Sequence, residues 1–219
     1  MLNYRKEGEV AVITMDDGKA NAVSHSYIDN LNDGLDLAEG EAKALVLQGR
    51  SGVFSAGFDL KEIGKGLAES KALVDKGAAL LLRLFSLPMP VVAASAGHAI
   101  AAGALLMLAS DTRFGVGGDA KYGLNETAIG MTLPPFGLQI ALCRVSKRHQ
   151  TQAIIQASLY NAEGAQRAGF LDEIVSVEEL ERSALAKATE LAELPTQAYA
   201  AMKLDVRRDY IDIIAASLS

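Results

Sequence analysis

The spacing of apolar residues along the chain changes repeatedly between two patterns, and each pattern predicts a different element. Short runs of consecutive apolar residues bounded by turn-forming residues are typical of buried strands. They predict strands at 4–6, 10–15, 44–47, 91–94, 112–116 and 173–175. Because these runs alternate with longer stretches of helical spacing, the sequence indicates an α/β fold with a mostly parallel sheet.

The longer stretches place apolar residues three and four positions apart, which is the spacing of one helix face. In the first stretch Tyr27, Ile28, Leu31 and Leu35 share such a face, and Ser24 is a suitable N-cap. The same pattern predicts helices at about 25–39, 67–85, 101–109, 137–143, 147–157, 162–168 and 177–193.

With 219 residues the chain suits a single domain that can bury a sizeable core. Charged or other polar residues interrupt every apolar run before the roughly 18 residues that a membrane span requires. The first residues lack the apolar stretch of a secretory signal. The single cysteine, Cys143, permits no internal disulfide and fits a reducing compartment. We therefore expect a cytoplasmic protein with no membrane partner.

The charge balance narrows the class of ligand. The chain has 21 basic and 27 acidic residues and a net charge of −6, which argues against a basic surface for nucleic acid. A few local Lys or Arg side chains are still enough to bind a small anion. His25, His98 and His149 are far apart and lack neighbouring cysteines, so we expect no metal site.

Two segments rich in Gly and Ala carry the strongest chemical signal. They are 54–61 (Phe-Ser-Ala-Gly-Phe-Asp-Leu-Lys) and 97–105 (Gly-His-Ala-Ile-Ala-Ala-Gly-Ala-Leu), and both adjoin apolar runs typical of strands. Small residues let the backbone approach a ligand and offer its own N–H groups. Two N–H groups directed at one carbonyl oxygen form an oxyanion hole, which indicates chemistry on an acyl compound.

Four ordered segments resemble those of the crotonase superfamily, the enoyl-CoA hydratase/isomerase family. They are 19–22, 54–61, 90–111 and 162–175, and together they span nearly the whole chain. The resemblance implies a spiral of ββα units with surrounding and C-terminal helices. It also implies one domain over 1–219, with a spiral core at 1–190 and a shortened helical segment at 191–219. The family usually trimerises, so we expect a homotrimer or a dimer of trimers.

The same resemblance assigns a substrate and its binding residues. The substrate is an acyl-CoA thioester, with CoA as part of the substrate and no separate cofactor. The oxyanion donors are the backbone N–H groups of Phe58 and Ala102, and Lys19 and Lys61 are candidates to bind the CoA phosphates. The expected substrate-binding residues are Lys19, Ala20, Ala22, Ala56, Gly57, Asp59, Leu60, Gly103, Leu105 and Phe136.

The acid–base residues distinguish reactions within the family. Family hydratases carry two glutamates, and this chain has Leu105 at the first position and Glu126 at the second. A single carboxylate suits a 1,3 proton shift, and 122–136 resembles the Δ3,Δ2-enoyl-CoA isomerases. We therefore predict that Glu126 is the catalytic base of an enoyl-CoA isomerase. Apolar neighbours such as Ile129 and Met131 would raise the pKa of Glu126 toward neutrality.

Three other interpretations stay open from the sequence. One is hydration or another reaction of the superfamily, and a second is a protein that binds acyl-CoA without turning it over. The third is a serine hydrolase, because Ser95 lies between an apolar strand and a helix in a relaxed nucleophile elbow. His25, His98 or His149 would then act as the base, with Asp111 orienting it.

Overall fold

The computed structural model describes residues 2–218. Its strands are β1 (Leu2–Glu7), β2 (Val10–Met15), β3 (Ala44–Gln48), β4 (Gly52–Ser55), β5 (Val91–Ser95), β6 (Gly97–Ile100), β7 (Thr112–Val116), β8 (Tyr122–Gly123) and β9 (Glu173–Val175). Its α-helices are α1 (His25–Glu41), α2 (Leu60–Ile63), α3 (Leu67–Ser86), α4 (Ala102–Ala109), α5 (Pro135–Arg144), α6 (Ala162–Ala168), α7 (Val177–Ala192) and α8 (Thr196–Leu218). A 3₁₀ turn covers Thr127–Ile129 and a π-helical turn covers Thr151–Ile155.

The larger sheet has six strands in the order β1-β2-β3-β5-β7-β9. Only β1 and β2 pair antiparallel, and every later pair in this sheet is parallel. The central strands β3 and β5 are almost entirely buried, as expected for a parallel sheet with elements on both faces. The predicted α/β fold with a mostly parallel sheet is confirmed.

A second sheet of three parallel strands, β4-β6-β8, lies beside the first. From β3 onward the chain adds one strand to each sheet and then forms a helix, so that ββα units repeat along the sequence. These three strands are only two to four residues long and contain small residues. Their apolar runs are too short to be recognised as strands, so the second sheet was not predicted from the sequence.

Helix α4 occupies the centre of the molecule, and all of its residues are buried. Gly103 explains how it fits there. A Cβ atom on Gly103 would lie only 2.1 Å from the carbonyl oxygen of Ser55 at the end of β4. The missing side chain therefore lets the first turn of α4 lie directly against the strand that precedes the first Gly/Ala segment.

The C-terminal helix α8 is fixed to the core by charges. Lys203 Nζ lies 2.8 Å from Asp111 Oδ2, and Arg207 Nη2 lies 2.7 Å from Asp111 Oδ1. The backbone N–H of Val91 also donates to Asp111 Oδ2, at 2.8 Å. Burial lowers the pKa of Lys203 to about 8, although the Asp111 charge opposes this change. Two cations from the last helix thus enclose one carboxylate at the end of the α4 segment.

The helix predicted over 147–157 is wrong for most of its length. Only the π-helical turn Thr151–Ile155 forms, and the N–H of Gln156 bonds to the carbonyl oxygen of Thr151 at 2.9 Å. Ala157 then adopts a left-handed φ of 52°, which stops any continuation. Of the π-helical residues only Ala153 is buried, so little packing supports a longer helix here.

No helix within residues 2–218 is both long enough and apolar enough to cross a lipid bilayer.

Candidate active site

The turn after β4 lies against the first turn of α4, so the two Gly/Ala segments meet. Gly57 has a φ of 97°, in the left-handed region that favours glycine. A Cβ atom placed on Gly57 would lie 2.9 Å from Ala101 Cβ and 3.4 Å from Ala102 N. The turn that contains Phe58 therefore lies next to the start of α4, as an oxyanion hole made of both segments requires.

The N–H group of Phe58 is left available by its neighbours' hydrogen bonds. Val23 pairs with this turn in a parallel bridge, in which Val23 N–H donates to Gly57 O at 2.8 Å. Asp59 N–H donates to Val23 O at 3.1 Å. The intervening N–H of Phe58 is directed away from this bridge and has no backbone acceptor within residues 2–218.

The N–H of Ala102 is the first of helix α4, and no side chain caps this helix end. The preceding residue, Ala101, has φ 53° and ψ −125°, a strained conformation for a residue with a Cβ atom. Its own N–H donates to Gly123 O at 3.0 Å, which holds the strained residue in place. The positive end of the helix and this free N–H together favour a developing negative charge.

An apolar cavity of about 200 Å³ is lined by Phe58 and by Ala101, the residue before Ala102. Apolar side chains make up most of its wall, and one carboxyl group projects among them. The lining residues are Ala56, Phe58, Leu60, Ile63, Val74, Ala101, Leu105, Asn125, Glu126, Ile129, Met131, Thr132, Pro134 and Phe136. Glu126 is the single titratable residue among these lining residues.

The environment of Glu126 changes its ionisation. Burial raises the pKa of the Glu126 carboxyl, and the nearby backbone N–H groups of Glu126 and Asn125 offset part of that change. Its Oε2 atom is buried and has no hydrogen-bond partner among the described residues. A desolvated carboxylate with one oxygen that has no partner is suited to accept a proton from carbon.

Leu105 lies on helix α4 and lines the same cavity, with only 2% of its surface exposed. A leucine side chain cannot transfer a proton. Acid–base chemistry in this cavity therefore depends on one carboxyl group rather than on a pair.

Two further cavities adjoin the first. One of about 400 Å³ includes Lys19, Ala22, Asp59 and Lys61 in its lining, together with the acidic Asp16 and Asp17. The other, of about 460 Å³, is cationic, and its polar side chains include those of Lys19, Arg50, His98 and Lys121. Both include Ala20. The cationic cavity also shares Ala56 with the apolar cavity, so it is a neighbour of both of the others.

The substrate-binding residues predicted from the sequence are distributed over these three cavities, with two exceptions. Gly57 and Gly103 line none of the three and instead set the backbone geometry described above. The roles of all ten stay predictions. Arg50, His98 and Lys121 were not among them, because they lie far apart in the sequence and share no motif.

Asn21 is a buried residue whose positioning role the sequence analysis missed. Its Nδ2 donates to Met15 O at 2.7 Å and to Phe54 O at 3.0 Å. Ser55 Oγ donates to Asn21 O at 2.7 Å. Asn21 thereby joins the ends of β2 and β4 and fixes the loop that carries Lys19. Its left-handed φ of 49° is one that asparagine tolerates.

The serine-hydrolase arrangement does not form. Ser95 Oγ is fully buried and donates to Gly97 O at 2.7 Å. His98 accepts the backbone N–H of Lys121 at its Nδ1 atom, at 3.1 Å. Asp111 is occupied by the cations of α8. Among residues 2–218, no three His, Cys, Asp or Glu side chains come together in a way that could hold a metal ion.

A family model described as enoyl-CoA hydratase/isomerase matches residues 5–218. A probable enoyl-CoA hydratase of Bacillus subtilis is 37% identical over 131 residues, covering 58% of this chain and 50% of that protein. A probable enoyl-CoA hydratase of Rhodobacter capsulatus is 32% identical over 204 residues, covering 92% of this chain and 79% of that protein.

Solved structures match over almost the whole chain. An enoyl-CoA hydratase/isomerase family protein of Pseudomonas syringae has a TM-score of 0.96 and 39% identity, covering 99% of this chain and 94% of its own. Human mitochondrial Δ3-Δ2-enoyl-CoA isomerase has a TM-score of 0.94 and 25% identity, covering 99% of this chain and 88% of its own.

Proposed function

The chain belongs to the enoyl-CoA hydratase/isomerase family, and we propose that it is an isomerase that moves an acyl-CoA double bond from position 3 to position 2. One observation carries the choice within the family. Glu126 is the single titratable residue lining the apolar cavity, and Leu105 lies where family hydratases carry a second glutamate. The similarity to the human Δ3-Δ2-enoyl-CoA isomerase supports the same reaction.

The two backbone N–H groups would bind the thioester oxygen. Removal of a proton from C2 moves negative charge onto this oxygen, and the N–H groups of Phe58 and Ala102 stabilise that charge without moving. A comparable single donor contributes about 3–4 kcal/mol to a transition state. Because the main chain donates, the side chains at these two positions do not need to be polar.

Glu126 performs both proton transfers. Its carboxylate takes a proton from C2, and the electron pair spreads over C2, C3, C4 and the thioester. The same carboxylic acid then donates the proton to C4, which leaves a double bond between C2 and C3 and restores the carboxylate. Hydration would need a water molecule to be activated and a separate proton to be delivered, which two glutamates share in family hydratases.

The CoA part of the substrate would extend from the apolar cavity past Ala56 toward the cationic cavity. Lys19, Arg50 and Lys121 line that cavity, and their charges complement the phosphates. Lys61 lies in the neighbouring cavity, together with Asp16 and Asp17. A homotrimer or a dimer of trimers in the cytoplasm completes the proposal, and sedimentation velocity measures the assembly.

Hydration is the second candidate, because the curated relatives from Bacillus subtilis and Rhodobacter capsulatus are named probable hydratases. The two reactions differ in their products. Isomerisation converts a 3-enoyl-CoA into a 2-enoyl-CoA with no change in mass, whereas hydration of a 2-enoyl-CoA adds one water molecule.

The test incubates the purified protein with a 3-enoyl-CoA and, separately, with a 2-enoyl-CoA, and follows absorbance and product mass. We expect isomerisation by the unchanged protein and none by Glu126→Gln, with the affinity for a saturated acyl-CoA retained. Glu178→Gln, at an exposed position on α7, is the control and keeps full activity. Water addition alone would establish a hydratase. Tight binding without turnover of either ester would indicate a non-catalytic acyl-CoA-binding protein.

A further inference from the structure

Two adjacent side chains in the apolar cavity have buried oxygen atoms without a hydrogen-bond partner in the part of the chain that the structure describes. They are Oδ1 of Asn125 and Oε2 of Glu126, and both residues line the cavity. Buried polar atoms in native proteins nearly always have a hydrogen-bond partner, so two unsatisfied oxygen atoms beside a proposed reaction centre need an explanation. The remaining wall is mostly apolar and supplies no charged group.

The chemistry of the two atoms identifies what they lack. An ionised carboxylate and an amide oxygen are both acceptors, so neither can satisfy the other while Glu126 is charged. Once Glu126 has taken a proton, its carboxyl becomes a donor, and Asn125 Oδ1 is an acceptor on the adjacent residue. The proton that leaves the substrate could therefore satisfy both oxygen atoms, because it would be bonded to Glu126 Oε2 and hydrogen-bonded to Asn125 Oδ1.

We propose that Asn125 is a positioning residue for the proton shift, whose Oδ1 accepts a hydrogen bond from protonated Glu126 between the two transfers. This inference rests on the proposed isomerase function. The C2–H bond breaks as the Glu126 O–H bond forms, and the electron pair enters the dienolate. Asn125 then holds the O–H group in the cavity until the proton forms the new C4–H bond and the carboxylate is restored.

A labelled substrate tests this role directly. The substrate is a 3-enoyl-CoA with deuterium at C2, and mass spectrometry measures the fraction of deuterium found at C4 of the product. We expect the unchanged enzyme to carry part of the label across. Asn125→Leu keeps the same branched arrangement of heavy atoms but has no acceptor, so it should lose most of that transfer to solvent. Its kcat should fall about two- to tenfold, the range of one hydrogen bond between neutral groups, with KM nearly unchanged.

A second variant separates hydrogen bonding from packing. Asn125→Asp keeps an oxygen atom at the position of Oδ1, so we expect it to retain the label transfer. It should also raise the kinetic pKa of Glu126, because two neighbouring carboxyl groups share one proton. A merely structural role for Asn125 would move neither quantity in this way. Asn3→Leu, at an exposed position on β1, controls for the substitution itself.

The outcomes are distinct from those that test the reaction. Equal label transfer in the unchanged enzyme and in Asn125→Leu would overturn the role of Asn125 while leaving the isomerase intact. Complete loss of label in the unchanged enzyme would do the same. Absence of isomerisation in the unchanged enzyme would remove the proposed function itself. If Asn125→Leu fails to fold, Asn125→Ala gives the same comparison without added bulk.

Discussion

Replacing Gly103 by alanine should separate the two halves of the proposed oxyanion hole. The added Cβ atom would lie 2.1 Å from Ser55 O, whereas ordinary contacts of such atoms begin at 3.4 Å. Both contacting groups are in packed secondary structure, so α4 and the end of β4 must move apart by about 1 Å. Ala102 moves with α4, and Phe58 follows Ser55 in the turn after β4. The gap between their N–H groups therefore widens.

The expected cost appears in both turnover and stability. A misplacement of about 1 Å in a catalytic arrangement can reduce turnover about one-hundredfold. Overpacking of a core by one methyl group costs about 1–3 kcal/mol of unfolding free energy. The assay measures kcat with a 3-enoyl-CoA, the affinity for a saturated acyl-CoA, and the free energy of unfolding in urea. We expect kcat to fall far more than the affinity.

Gly40 provides a matched control, because it also lies in a helix. Its position in α1 is exposed, and a Cβ atom there would meet no atom within 4 Å. Gly40→Ala should therefore be neutral or more stable by about 0.5 kcal/mol, with unchanged kcat. If Gly103→Ala matched this control in both kcat and stability, the argument that close packing at Ser55 positions the N–H of Ala102 would be wrong.

Three other substitutions test separate parts of the structure. Glu126→Gln should increase stability at neutral pH, because burial raises the pKa of this carboxyl and penalises its charged form. The gain should vanish below pH 4.5, the ordinary pKa of a glutamate, and urea unfolding at a series of pH values measures it. Asp111→Asn should cost about 3–5 kcal/mol, since it leaves Lys203 and Arg207 buried without a counter-charge; an unchanged urea midpoint would contradict this. Tyr122→Phe should cost about 1–2 kcal/mol, because the Tyr122 hydroxyl bonds to both the N–H and the carbonyl oxygen of Val116. Calorimetry measures that loss, and an equal melting temperature would exclude it.

The central strands of the larger sheet were predictable because burial on both faces requires continuous apolar runs. The run at 91–94 is an example, and it became most of β5 (Val91–Ser95). The second sheet was not predictable in this way. Strands as short as β8 (Tyr122–Gly123) depend on partners far along the chain, and no local pattern encodes such pairing.

The residues of the candidate site were likewise only partly predictable from the sequence. The resemblance to the crotonase superfamily led to Phe58 and Glu126, and both line one cavity. The polar side chains of the cationic cavity were missed, since Arg50, His98 and Lys121 come together only through the parallel pairing of β4, β6 and β8. The unsatisfied oxygen atom of Asn125 could not be predicted from the sequence either, because the folded structure decides which polar atoms find a hydrogen-bond partner.

The ion pairs that Lys203 and Arg207 form with Asp111 have a consequence for biosynthesis. Lys203 and Arg207 follow Asp111 by 92 and 96 residues, so the ribosome adds them well after the carboxylate that they pair with. Until they arrive, a nascent chain carries a core carboxylate without its counter-ions. We expect nascent chains that stop before α8 to stay sensitive to proteases, and emergence of α8 from the ribosome to allow the structure to close.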